Sequence, residues 1–280
     1  MLPTDDARHT AGAAPGWCES WYFDFATAGG TGGAVQLALW PHDARAWYWA
    51  CFVEPGQGPV LVRDQDVGLP RAPSLEIRAE GLWAECVLEA AFEHWSLGLE
   101  AFGVRLDDPL DAFRGERGER LPIGLDLSWE ATVPAHAPDV EGRATDGYVQ
   151  AGRVYGDVLV GDRRIDIDAR GLRAHTWGEP CWLDPPWWWV GAATDDGGAF
   201  SLVTFGEDSP ITGTHVTVGE EHTEVDVVAW APLAVDRRDG SSKQLWRALC
   251  NVRGPRVNGP GWAAWMPATT EQRPADMEGR

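Results

Sequence analysis

At 280 residues the chain allows one large domain or two smaller ones. Its 43 acidic residues face 23 basic ones, all Arg except Lys243, and the formal charge of −20 repels phosphate backbones and anionic lipid, which argues against nucleic-acid and membrane-surface partners. Five widely spaced cysteines cannot complete a disulfide set, and neither an apolar signal core nor an apolar run of about 18 residues occurs, so a reduced, cytoplasmic protein without membrane insertion is expected.

The chain opens on "MLPTDDARHTAGAAPG", residues 1–16, whose polar and small residues predict a disordered N-terminus. From Trp17 onward the dominant period is two. "WYFDF", "AVQLALW", "RAWYWACFV", "VLVRDQDV" and "SLEIRAE" read as strands separated by turn residues such as Gly29-Gly30. In "RAWYWACFV" the alternation puts Trp47 and Trp49 on one face with Cys51 and Val53, and Tyr48 on the other. Between Leu82 and Trp95 the apolar positions fit a helix face as well as a strand, and the β-rich surroundings with Gly81 and Gly98 favour strand. "PIGLDLSWEA" alternates cleanly, with Ile123, Leu125, Leu127 and Trp129 on its apolar face.

The connection "PAHAPDVEGRATDG", Pro134 to Gly147, has the composition of a domain linker. The expected organisation is a domain at 17–140, a second at 141–273 and a tail at 274–280. Beyond the linker, "GRVYGDVLVGDRRIDIDA", "FSLVTFG", "HVTVGEEHTEVDVVAWA" and "LWRALCNVRG" continue the β pattern, and eleven or more strands at this spacing predict an all-β sandwich or barrel. Asp166 and Asp168 share one strand face, where solvation is the ordinary reason for two carboxylates.

Within "YVQAGRVYGDVLVGDRRIDIDARGLRAHTWG", Tyr148 to Gly178, a glutamine-bearing strand and a glycine-bounded hairpin precede Gly171, Arg173, Ala174, His175, Thr176, Trp177 and Gly178. This stretch resembles the G-x-R-D-H-S-W-G signature of carotenoid 1,2-hydratase (hydroxyneurosporene synthase)-like and AttH-like proteins. The resemblance implies two consecutive lipocalin-like antiparallel β-barrel domains with a ligand cavity near their junction. It also implies activities that range from hydration of isoprenoid double bonds to the cofactor-free cyclisations of distant Diels–Alderase relatives. The chain departs from the signature at Ala174, where those proteins carry Asp, so an acid for alkene protonation must come from elsewhere, with Glu179, Asp184 and Asp168 nearby in sequence.

His175 and Arg173 are therefore the candidate catalytic residues, each able to hydrogen-bond a polar group or stabilise developing negative charge. The chain holds 17 tryptophans, and in "CWLDPPWWWV" Trp187 and Trp189 share a face opposite Trp188. Trp47, Trp49, Trp95, Trp177, Trp187 and Trp189 are the expected walls of an aromatic substrate cavity. Neither a nucleotide loop nor metal-ligand spacing is present in the sequence, so no cofactor and no metal are expected. Three functions fit: a cofactor-independent cyclase or isomerase of a hydrophobic polyketide or terpenoid, an isoprenoid hydratase or dehydratase, and a carrier of a lipophilic small molecule. Proximity and orientation suffice for the first, which the missing signature Asp favours.

Overall fold

The computed structural model describes residues 1–137, 146–179, 186–194, 197–206, 211–212, 215–218, 221–237 and 240–268. Asp184 and the 274–280 tail lie outside the described residues. The described chain is built of antiparallel strands with three short 3-10 turns, as the period-two pattern requires. Ten strands form the first sheet: β1 (Cys18–Ala26), β2 (Gly32–Trp40), β3 (Arg45–Val53), β4 (Val60–Gly68), β5 (Ile77–Ala79), β6 (Leu82–Ala90), β7 (His94–Leu106), β8 (Gly118–Ala131), β9 (Asp146–Val160) and β10 (Arg163–Gly178). Their order is β4-β3-β2-β1-β10-β9-β8-β7-β6-β5, and β4 pairs with β7 at Val60↔Arg105 and Leu61↔Val104, which closes the sheet into a barrel.

The second sheet is built from β11 (Trp187–Ala193), β12 (Ala199–Phe205), β13 (Ile211–Thr212), β14 (His215–Val218), β15 (Glu221–Trp230), β17 (Ser242–Gly254) and β18 (Val257–Met266), with β16 (Leu233–Asp236) paired to β17. The architecture is the expected pair of consecutive lipocalin-like β units, although the change of sheet differs in place from the expected 140/141 division. The Pro134–Gly147 connection joins β8 to β9, which are neighbours in one sheet, and the second sheet begins only after Gly178. Returns between adjacent strands and domain linkers use the same Pro and Gly residues, so composition does not separate the two. The ambiguous Leu82–Trp95 stretch is strand β6 followed by a three-residue turn into β7.

β1, β2 and β3 are buried on both faces. Their inward face, with Trp21, Phe23, Phe25, Leu37, Tyr48 and Phe52, fills the first barrel together with Trp95 and Trp129. Their outward face, with Cys18, Ala34, Ala38, Trp47, Trp49, Cys51 and Val53, packs on Leu233, Leu245, Leu249, Trp262 and Met266 of the second sheet. The split of Trp47 and Trp49 from Tyr48 follows the predicted alternation. Trp188 likewise joins the core behind the second sheet with Val190 and Val252, while Trp187 and Trp189 pack toward the junction.

Residues 1–16, expected as a disordered N-terminus, instead lie against the first barrel. A 3-10 turn at Pro3–Asp6 places Asp6 fully inside, Arg8 Nη1 donates to the carbonyls of Pro70 and Ser74 at 2.8 and 3.1 Å, and His42 Nε2 meets the Gly12 carbonyl at 2.8 Å. Composition missed this because the arm is held by a few buried polar contacts and has no apolar periodicity of its own.

Candidate functional site

Alternation along β10 turns Arg173, His175 and Trp177 toward the first barrel, and Leu172 and Ala174 toward the second sheet. Gly171 permits this close approach, because a Cβ there would collide with the Asp24 carbonyl of β1. Two polar clusters result, one on each face of the β1–β10 pair.

The inward cluster joins Arg173 and His175 to the N-terminal arm. Arg173 Nη1 donates to Asp6 Oδ1 at 2.6 Å and to the Tyr148 hydroxyl at 2.8 Å, while Nε and Nη2 donate to Gln150 Oε1 at 2.9 and 2.6 Å. The guanidinium lies over the rings of Tyr148, Trp129, Trp95 and Phe92 at 4.9 to 5.9 Å. His175 Nε2 meets Glu19 Oε1 at 2.9 Å, and His9 meets the same oxygen through Nδ1 at 2.7 Å and its amide at 3.0 Å. His175 stacks on Trp21, and His9 stacks on Trp177.

Burial works against the charge on Asp6 and Glu19, yet both carboxyls sit below the usual range. Arg173, Tyr148 and the Phe92 amide overcome it at Asp6, and His175 and His9 overcome it at Glu19. Burial also lowers His175, against the pull of Glu19. His175 Nδ1 has no hydrogen-bond partner among the described residues, which suits a neutral ring protonated at Nε2. The sequence spacing predicted no metal site; the fold nevertheless draws His9 Nδ1, Glu19 Oε1 and His175 Nε2 within 4.8 Å of one another, with both rings at hydrogen-bond distance from the one oxygen.

The outward cluster lies between the sheets. Tyr22 donates to Asp24 Oδ2 at 2.8 Å, the Leu172 amide donates to Asp24 Oδ1 at 2.7 Å, and Arg247 Nη2, from β17, donates to the Tyr22 hydroxyl at 2.6 Å. The Arg247 guanidinium lies over Trp49 at 4.3 Å and over Tyr22 and Trp262 at 5.0 Å. Trp49 Nε1 donates to Gln36 Oε1 at 3.1 Å, and Tyr22 meets Trp189 edge-on at 5.6 Å. Burial pushes Asp24 up to about 7, against the Leu172 amide, the Tyr22 hydroxyl and the charge of Arg247, and drives Tyr22 well above its ordinary value. Tyr22, Trp187 and Trp189 are half-buried, so this cluster keeps uncovered aromatic surface, while Arg173 and His175 of the inward cluster are themselves fully buried.

Of the six tryptophans expected to wall one cavity, Trp47, Trp49, Trp187 and Trp189 gather at the junction. Trp95 lies in the core of the first barrel, and Trp177 covers the arm at His9. Strand twist and barrel closure separate them, and periodicity carries no information on either. Asp166 and Asp168 are exposed, Asp168 pairing with Arg153 through two bonds of 2.9 Å, and Glu179 is exposed as well.

Asp24, Tyr22, Arg247, Asp6 and Glu19 had no place among the expected site residues. Four of them left a signal. Arg247 interrupts the apolar run "LWRALC", and in "ESWYFDF" Tyr22 and Asp24 share a face opposite Glu19, so both faces of one strand carry acids. Ala174 is the cross-strand partner of Tyr22, so the acidic position of the signature faces this same cluster, where β1 supplies a carboxyl from the neighbouring strand.

The backbone is similar to that of three solved proteins. The AttH-type protein NE1406 of Nitrosomonas europaea superposes with a TM-score of 0.65 at 14% identity, covering 96% of this chain and 97% of that one. Kievitone hydratase from Nectria haematococca gives 0.55 at 10% identity over 96% and 98%, and CghA in complex with Sch210972 gives 0.53 at 10% identity over 94% of each chain. At these identities the shared property is the AttH-like fold. No curated protein matches the sequence significantly. A family model described as a domain of unknown function, DUF7064, matches residues 2–214, well over half of the chain, and the chain therefore belongs to the DUF7064 family.

Proposed function

We propose that the protein is a cofactor-independent cyclase or isomerase of a hydrophobic, unsaturated small molecule bound between the two sheets. The observation that carries this reading is the outward cluster. A buried guanidinium, a phenol and a carboxyl that holds its proton near neutral pH are linked in a chain of hydrogen bonds through the phenol, beside Trp49, Trp189 and Trp262. Indole faces desolvate a polyene and hold it in one fold, and fixed donors polarise a conjugated carbonyl without any reorganisation at the moment of reaction. Arg173 and His175, both sealed among the chain's own carboxylates, serve in this reading to hold the end of the first barrel together.

A second reading, hydration of an isoprenoid double bond, is favoured by the protonated state of Asp24, since alkene hydration needs a carboxyl that still carries its proton at working pH. Structural likeness to kievitone hydratase and to CghA supports both readings at the level of fold.

Mass spectrometry of reaction mixtures separates them. Incubation with a panel of linear polyenes bearing a conjugated carbonyl, and with prenylated phenols such as kievitone, is expected to give a product of unchanged mass and altered chromatographic retention. A product heavier by one water establishes the hydratase. Saturable quenching of tryptophan fluorescence with unaltered ligand establishes a carrier and overturns both enzymatic readings.

A further inference from the structure

At the mouth of the first barrel Asp6 is bound in the way a ligand is bound. Its Oδ1 receives Arg173 Nη1 and the Tyr148 hydroxyl, and its Oδ2 receives the Phe92 amide at 2.5 Å and Arg173 Nη2 at 3.2 Å. All of these donors belong to the barrel, and only the carboxylate comes from the arm. We propose that this mouth is a receptor for the carboxylate of an apolar organic acid, occupied in the structure by the chain's own Asp6. The site is separate from the inter-sheet cluster and does not depend on the function assigned to it.

Three observations point to a built receptor. First, Arg173 is aimed independently of the arm. Gln150 Oε1 takes its Nε and Nη2, and Gln150 Nε2 is itself anchored to the carbonyls of Phe92 and Val133 at 2.9 Å each, so the guanidinium fork stays in place when the arm leaves. Second, the Phe92 amide is aimed by strained backbone. Phe92 sits at φ 60 in the three-residue turn between β6 and β7, a position that favours Gly, and its ring lies over the Arg173 guanidinium.

Third, a shallow, open cavity of about 480 Å³ adjoins the receptor, and Phe92 and Gln150 line both. Its remaining lining is Ala131, Thr132, Val133, Pro134, Ala135 and the exposed Met1 of the arm. An apolar tail attached to a carboxylate on Arg173 has this cavity beside it. The arm competes as a tethered ligand, so an external acid must overcome its effective concentration, of millimolar order for a short tether. Weak binding to the intact protein and strong binding once Asp6 is removed follow from that competition.

The test uses the full-length chain with hexanoate as probe and hexanamide, which has the same tail without the charge, as control. Asp6→Ala is expected to gain thermal midpoint saturably with hexanoate, with an apparent affinity at least roughly tenfold above that for hexanamide, the margin of a charge-assisted hydrogen bond. Equal responses to the two probes overturn the proposal. If Asp6→Ala does not fold, amide hydrogen exchange of residues 2–12 in the wild type decides. Faster exchange with saturating hexanoate but not with hexanamide supports displacement of the arm, and unchanged exchange with both refutes it.

Discussion

Strand β1 carries two carboxylates five residues apart that the fold holds in opposite states. Glu19 points into the first barrel, where two imidazoles and a backbone amide converge on it and keep it ionised. Asp24 points between the sheets, where a phenol and one amide reach it, and Arg247 stands behind the phenol. Both are buried, and at Asp24 burial wins. Burial alone therefore decides neither the charge of a carboxylate nor its role. The donors aimed at it do, and a strand with two buried faces can keep one acid for structure and another for chemistry.

The inward face should give the largest effect. Arg173→Met leaves Asp6 buried without its cation, and loss of one partner from such a pair costs about 3–5 kcal/mol, read as a lower denaturant midpoint. A change within experimental error would mean that the arm leaves the barrel without penalty.

The pH dependence of stability separates the two faces next. Asp6 and Glu19 have depressed folded-state values, so their contribution is complete above the unfolded carboxylate range and is lost as pH falls through the depressed folded values. Asp24 has the opposite sign. Its folded-state value of about 7 lies above the unfolded one, so its contribution is complete below about pH 4 and is lost as pH rises through about 7. Asp24→Asn should consequently gain on the wild type between pH 4 and 8 by roughly 2–4 kcal/mol in chemical-denaturation curves. Parallel curves for the two proteins would remove Asp24 from this role.

His175→Ala removes one of the donors to Glu19 and should cost roughly 1–3 kcal/mol, with turnover per folded molecule preserved once a substrate is in hand. Normal stability with lost turnover would restore His175 to the chemistry. Smallest of all, Asp168→Ala breaks only an exposed pair with Arg153, and its thermal midpoint should match the wild type.

The sequence disclosed the strands, their two-faced burial and the opposed tryptophans because alternation is a local property. "RAWYWACFV" separates Trp47 and Trp49 from Tyr48 in the sequence just as it does in the fold. It did not disclose what lies across from each face. Asp6 reaches Arg173 across 167 positions, and Arg247 reaches Tyr22 across 225. The break that Arg247 makes in its apolar run does not say which residue it meets, and a short polar arm held by a few buried polar contacts has the composition of a disordered one. The break between sheets differs in place for a related reason, since β8 and β9, on either side of the Pro134–Gly147 connection, pair in one sheet, and only strand pairing shows which sheet β9 and β10 enter.

The opposed states of the two β1 carboxylates are most directly tested by an infrared titration of the carboxyl stretch, comparing wild type with Asp24→Asn and Glu19→Gln at pH 6 and 8.5. A protonated-carboxyl band present at pH 6, diminished at pH 8.5 and absent from Asp24→Asn alone is the expected result. A wild-type spectrum without that band at pH 6, or a band that vanishes with Glu19→Gln and survives Asp24→Asn, would contradict the account.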